Sequence, residues 1–200
     1  VLISIEGIDG SGKSTLIRRL RNRLEIERPE ADVIMTREPW HRALEIEIRK
    51  QFEGRSEVKA PPDYMAVLFS ADRALHCLDL IEPKLQDDKS ILLTDRYKLS
   101  TYVYQVAFGA TKNICWDLCR IFPDPNLTIL LDADPEKLSD RIEARDAMEN
   151  IEQQKVIRGL YMDTVESFTD DFLVVDALAS TDEVLERSLA KIMEKLSYAQ

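Results

Sequence analysis

Four residues near the N-terminus have the types and the spacing needed to hold a phosphate. Gly7, Gly12, Lys13 and Ser14 satisfy the pattern G-x-x-x-x-G-K-[ST] within "EGIDGSGKST" (6–15). The glycines let successive backbone N–H groups turn inward as an anion nest at a helix N-terminus. That nest spans Gly7, Ile8, Asp9, Gly10, Ser11, Gly12, Lys13, Ser14 and Thr15. Lys13 is expected to reach the β- and γ-phosphates of a nucleotide, and the Ser14 hydroxyl to ligate Mg²⁺. A second element belongs with the loop. "ILLTD" (91–95) is an apolar run ending in Asp95, a strand-end carboxylate suited to supporting the same Mg²⁺, directly or through water. Asp9 is the odd member, because a carboxylate repels the phosphates that its neighbours attract.

Such a loop works only between a strand and a helix, and the flanking sequence supplies both. "VLISIE" (1–6) precedes it, and Leu16, Leu20 and Leu24 recur every four residues after it. Further strands are expected at 32–37, 90–95, 126–132 and 171–177. Their near-continuous apolar character suits strands covered on both faces. Pro61 and Pro62 open a helical segment expected to run to Pro83. Asp134-Pro135 reads as N-cap and first helical residue, and "STDE" (180–183) as a capping box for a last helix. This alternation predicts a single doubly wound P-loop domain over residues 1–200. Its fold class is α/β: a three-layer α/β/α P-loop NTPase fold with a five-stranded parallel sheet.

Composition narrows the function. Lys plus Arg number 27 and Asp plus Glu 37, a formal net charge of −10. A basic stripe for a nucleic-acid polymer is not expected on that background. Positive charge for an anionic ligand must then be concentrated near the loop. Cys77, Cys115 and Cys119 form no CxxC pair, which argues against a disulfide framework or a zinc site. Cys115 and Cys119, four apart, share one helical face and read as core. His41 and His76 stand isolated from other metal-ligand types. No apolar run approaches the about 18 residues that a membrane helix requires, and no secretory signal is visible, so a cytoplasmic setting is expected. An N-K-x-D guanine-reading motif is absent, and motors or helicases need more chain. A small, acidic phosphate-loop protein points to a kinase of small metabolites.

The remaining motifs are "TREP" (36–39), "LFSADRALH" (68–76), "DRYKLSTYVYQ" (95–105), "DPEKLSDRIEAR" (134–145) and "ENIE" (149–152). With the phosphate loop they make the chain resemble the thymidylate kinase family over nearly its whole length. The loop is shared by many families, whereas the ADR segment after Phe69 and the DRY…S…YQ segment are far more specific. The resemblance implies in-line transfer of the γ-phosphoryl of ATP to dTMP with Mg²⁺, by a homodimer. It puts Phe69 against the thymine ring, with Arg73, four residues on and so on the same helical face, donating to the thymine O4. Arg96 would hold the dTMP phosphate with its planar fork, and Pro39 would border the same acceptor pocket. Thr101 and Gln105 would meet the base edge. Tyr104 would lie near the ribose, where its bulk disfavours a 2′-hydroxyl, and Ser100 belongs to the same stretch. Asp9 would bond the acceptor's 3′-hydroxyl, which accounts for a carboxylate in this loop. A lid at about 141–155 would bring Arg141 to the adenine and Arg145 to the phosphates, with Glu149 and Glu152 near the substrate sugar and base. Asp9, Lys13, Arg96 and Arg145 form the implied catalytic set. A site built for the N3–H donor and O4 acceptor of thymine would reject cytosine by roughly 1–3 kcal/mol per unpaired group.

Two departures from the family pattern stand out. Trp40-His41-Arg42 follows "TREP" where a Gly-Gly turn is usual, and the lid carries Glu149-Asn150-Ile151-Glu152 in place of a D-R-x-E run. Gly10 occupies the place where another branch has an arginine beside the Asp, so the catalytic cation is expected from the lid, at Arg145. Two other readings stay open. One is a kinase of another (deoxy)nucleoside monophosphate or of a nucleoside, which the Trp40-His41 departure favours. The other is a nucleotide-binding regulatory protein without turnover, against which Asp95-Arg96 and Arg145 speak.

Overall fold

β1 (Leu2–Gly7) is buried along its whole length. A strand with apolar or hydrogen-bonded side chains on both faces needs layers on both sides, and it receives them. The computed structural model describes residues 1–52, 59–138, 151–165 and 172–198. Around β1 stand β2 (Asp32–Arg37), β3 (Ser90–Asp95), β4 (Leu127–Asp132) and β5 (Phe172–Asp176), all parallel, in the order β2-β3-β1-β4-β5. The strands fall where the apolar runs predict them, with ends shifted by a residue. Gly7 joins β1, and β4 begins at Leu127.

Helices cover both faces. α1 (Lys13–Glu27) buries Leu16, Ile17, Leu20 and Leu24 against the sheet and packs beside α9 (Thr181–Tyr198). α5 (Lys98–Ala107) packs on β1 together with α3 (Pro62–His76), α6 (Lys112–Arg120) and α8 (Ile151–Val165). α2 (Arg42–Phe52) lies against α3. The expected caps form: Glu136 N–H donates to Asp134 Oδ1 at 3.0 Å to open α7 (Pro135–Leu138), and Glu183 N–H to Ser180 Oγ at 3.2 Å. Cys115 and Cys119 are buried on one face of α6.

The segment that begins at Pro62 does not stop at Pro83. A π-helical stretch (Cys77–Ile81) follows α3 and leads into α4 (Glu82–Leu85). The wider π turn precedes the proline, whose ring would otherwise clash with the carbonyl four residues back. The helix therefore continues where sequence rules expect it to end.

The parallel register lines up the C-terminal strand ends, with Asp95 opposite both Ile5 and Arg37, and Gly7 opposite Leu131. Crevices of open α/β sheets form at this edge. Gly7 has φ +139, and a Cβ there would lie 2.6 Å from the Leu131 carbonyl oxygen and 2.9 Å from Ser11 Oγ. Gly7→Ala is accordingly expected to destabilise the fold by about 1–3 kcal/mol. Thermal denaturation checks it, and an unchanged Tm would contradict the close approach.

Candidate active site

The loop from β1 into α1 closes on its own lysine. Lys13 is buried, and its Nζ donates to the carbonyls of Gly7 at 3.1 Å and Ile8 at 2.9 Å. Burial, with the nearby Arg96 charge, pulls its pKa down to about 8. Ser14 Oγ donates to Asp95 Oδ2 at 2.8 Å, so the two oxygens expected at a metal are adjacent. A hydroxyl and a carboxylate suit a hard cation. Among the described residues no cluster of three or more His, Cys, Asp or Glu could hold a metal. A cation at Ser14 and Asp95 would therefore take its remaining ligands from phosphates and water, as Mg²⁺ does.

Arg96 stands at the end of β3 with φ 68, the one non-glycine residue in left-handed geometry among those described. That conformation costs about 1–3 kcal/mol and persists only where the surroundings enforce it. The enforcing contacts are numerous. Nη1 donates to the Gly7 carbonyl at 3.2 Å, Ser100 Oγ at 3.0 Å and Tyr161 Oη at 3.4 Å. Nη2 donates to Tyr104 Oη at 2.9 Å and to Asp9 Oδ1. Burial pushes the Asp9 pKa up, but the charges of Arg96 and Lys13 outweigh it and hold the carboxyl below its usual value. The carboxylate in the phosphate loop is thus already neutralised.

Beside this pair lies a cavity of about 270 Å³. Asp9, Pro39, Phe69, Arg73, Arg96, Ser100, Thr101, Tyr104 and Gln105 all line it, so nine of the expected acceptor residues converge from four separate segments. Glu152 does not join them. It is exposed in the first turn of α8, with Lys155 Nζ 3.0 Å from its carboxylate. Arg141, Arg145 and Glu149 lie outside the described residues. Ile48 and Arg49 of α2, Glu38 and Tyr97 also line the cavity and have no part in the expected set. Spacing from "TREP" alone does not aim α2 at the pocket.

Arg73 is fully buried. Nε donates to Glu38 Oε1 at 3.1 Å, and Nη2 to Glu38 Oε2 and, at 2.7 Å, to Thr101 Oγ1. Burial lowers its pKa, but the Glu38 carboxylate outweighs this and raises it. Nη1 has no hydrogen-bond partner among the described residues. The Arg73 guanidinium carbon lies over the rings of Tyr97, at 5.1 Å from the centroid, and Phe122, at 5.5 Å.

The Trp40-His41 departure turns out to be supported without glycine, since neither residue has a positive φ. Both oxygens of the buried Asp72 are used: Trp40 N–H donates to Oδ2 at 2.6 Å and His41 N–H to Oδ1 at 2.7 Å. The Trp40 ring stacks on His76 at 4.8 Å between centroids. Neither Trp40 nor His41 lines the cavity.

On the other side of the loop a second cavity of about 280 Å³ opens between Gly10–Gly12 and the stretch that carries Ala177, Ala179, Thr181 and Val184. The capping box at 180–183 marks a helix start there but not a cavity, because Ala177 and Ala179 contribute only the space they leave. Gln154, which no motif marks, is buried on α8. Against the effect of burial, Arg96 and Lys13 hold the Asp9 carboxyl below its usual value, and the Gln154 side chain adds to them.

A phosphate-binding loop with one cavity on each side, on a doubly wound parallel sheet, defines the class: a phosphate-loop kinase of small molecules. The comparisons with known proteins carry this further. The thymidylate kinase family model matches residues 5–187. A probable thymidylate kinase of Sulfolobus acidocaldarius is 31% identical over 98% of this chain and 98% of its own length. Probable thymidylate kinase 1 of Saccharolobus solfataricus is 35% identical over 97% of both chains, and the thymidylate kinase of Bacillus cereus 33% over 98% of both. The chain belongs to the thymidylate kinase family.

Proposed function

We propose that the protein transfers the γ-phosphoryl of Mg·ATP to the 5′-phosphate of dTMP, giving dTDP and ADP. The observation that carries the reading is the convergence of Asp9, Phe69, Arg73, Arg96, Thr101, Tyr104 and Gln105 on one cavity beside the phosphate loop. A nucleotide switch has no use for a second, acceptor-sized cavity with its own arginines. Phe69 offers a flat apolar face for a base, and Arg73, which lines the same cavity, would donate to the thymine O4. Thr101 Oγ1 accepts from Arg73, which leaves its own proton to donate. Arg49 and Arg96 bring positive charge to the acceptor phosphate.

Nη2 of Arg96 donates to Asp9 Oδ1. Acceptor binding exchanges partners: the phosphate takes the guanidinium, and Asp9 turns to the 3′-hydroxyl. No general base is needed, because the attacking oxygen is already anionic. The chain's task is alignment and charge neutralisation by Lys13, Arg96 and, from the lid proposed at about 141–155, Arg145. Ser14 and Asp95 would hold Mg²⁺, which would supply positive charge to offset that of the donor phosphates. Arg141 in the lid and the cavity beside Ala177 and Ala179 would receive the adenine, with Glu149 and Glu152 at the substrate sugar and base. An exposed apolar row on α3 (Tyr64, Val67 and Ala71), continued by Leu78, supports a homodimer as part of the same proposal. A cytoplasmic setting belongs to the same proposal, supported by three cysteines that are buried and free.

The acceptor reading is tested by offering dTMP, dUMP, dCMP, UMP and thymidine in turn with ATP. dTMP and dUMP are expected to exceed dCMP in kcat/KM by at least about tenfold. Preferred use of dCMP or of thymidine would overturn it. The donor side gives a pH prediction. Lys13 titrates near 8 in the empty loop, and bound phosphates restore the pKa towards an ordinary lysine's 10.5. ATP binding should therefore take up a proton between those values and be insensitive to this group below them. Calorimetry at pH 8.5 in buffers of different ionisation enthalpy should show that uptake, and its absence would contradict the role given to Lys13.

A further inference from the structure

Glu6 lies one residue before the loop and is fully buried at the meeting point of β1, α5 and α8. Its Oε1 accepts from the Tyr97 N–H at 2.9 Å. Its Oε2 accepts from Ser100 Oγ at 2.5 Å and lies 3.1 Å from Tyr161 Oη. The two hydroxyl oxygens are themselves 2.8 Å apart, so the Tyr161 proton goes either to Glu6 or to Ser100. These same two hydroxyls are partners of Arg96 Nη1. A hydroxyl has a single proton and two lone pairs. Each proton that goes to the Glu6 carboxylate leaves lone pairs turned towards the guanidinium. We infer that Glu6 is a positioning residue: it orients Ser100 and Tyr161 as acceptors and so fixes the Arg96 fork for the acceptor phosphate, without touching substrate itself.

The arrangement needs Glu6 ionised, since only a carboxylate accepts on both oxygens and donates none. Burial raises its pKa above the usual carboxylate value, and Ser100 and the Arg96 charge draw it only part of the way back. The left-handed backbone of Arg96 persists only while its surroundings enforce it, so the groups that hold its guanidinium matter. Tyr161 adds a consequence. It lies on α8, the helix that follows residues 139–150, and its ring meets Tyr104 edge-on at 6.4 Å. Through Glu6 the strand that feeds the phosphate loop, the helix that carries Ser100 and Tyr104, and α8 share one polar junction.

The inference rests on the reading of Arg96 as the acceptor-phosphate ligand, and a double-mutant cycle separates the two. Glu6→Gln keeps the shape but puts an N–H₂ group in place of one accepting oxygen. Set towards the Tyr97 N–H, that group would oppose donor to donor. Set towards Ser100 and Tyr161, it deprives both hydroxyls of their acceptor and frees a proton to turn towards Arg96. The variant is expected to raise the dTMP KM about tenfold while the ATP KM changes less than about twofold. Tyr161→Phe, which keeps the ring, should give a smaller rise by the same route, and it carries the test should Glu6→Gln fail to fold. On an Arg96→Ala background Glu6→Gln should add less than about twofold, because the residue it positions is gone. A wild-type dTMP KM in both single variants would overturn the inference, as would an equal rise in the ATP KM. An undiminished effect of Glu6→Gln on the Arg96→Ala background would overturn it too. A normal dTMP KM in Arg96→Ala alone would overturn this inference together with the reading beneath it.

Discussion

Lys13→Ala is expected to lower kcat for phosphoryl transfer by at least about 10³-fold, the range found when a preorganised cation or donor is removed from a transition-state charge. Loss of the fold is not the cause to expect. Lys13 is buried, and its pKa sits below that of a free lysine because burial opposes the charge. A cation whose folded-state pKa is depressed works against folding at neutral pH, so its removal leaves the Tm unchanged or raised. In the empty site its hydrogen bonds go to the Gly7 and Ile8 carbonyls, groups that the loop can rehydrate. Activity lost with Tm retained is the pattern to look for. Appreciable turnover in the variant would mean that the loop does not act on the transferring phosphoryl.

Arg96→Ala should act on the other substrate. Removing a charged fork from a partly desolvated phosphate site costs on the order of 2–5 kcal/mol, which puts the rise in dTMP KM at roughly 30-fold or more. The ATP KM should change only a few-fold. Arg96→Lys keeps the charge and loses the bidentate geometry, and an intermediate rise of roughly tenfold is expected. Initial-rate kinetics with each substrate varied in turn separates these outcomes. A dTMP KM near the wild-type value in Arg96→Ala would remove this arginine from the acceptor site.

Much of this site was legible in the sequence because its strongest signals are local. Gly7, Gly12, Lys13 and Ser14 are fixed by spacing within one turn of chain, and the five strands announce themselves by apolar runs. Phe69 and Arg73, or Thr101, Tyr104 and Gln105, share helical faces that periodicity reveals, and the family resemblance says what they face. What sequence did not reveal is set by contacts between distant segments. The Glu38 to Arg73 pair joins β2's end to α3, and Asp72 grips two backbone amides of the Trp40-His41 turn. The positive φ of Arg96 follows from partners on three other elements. The cavity beside Ala177 and Ala179 is defined by small side chains, which carry no motif. At Pro83 a local rule was overridden, since a π-helical stretch lets the chain continue past the proline.

The central claim is that one chain joins the γ-phosphoryl of ATP to dTMP. The most direct measurement follows the purified protein with ATP, Mg²⁺ and dTMP by ³¹P NMR. The account predicts that dTDP and ADP appear together, one for one, with no inorganic phosphate, and that neither forms when dTMP is left out. ATP broken down to ADP and inorganic phosphate while dTMP persists, or no reaction at all, would contradict it.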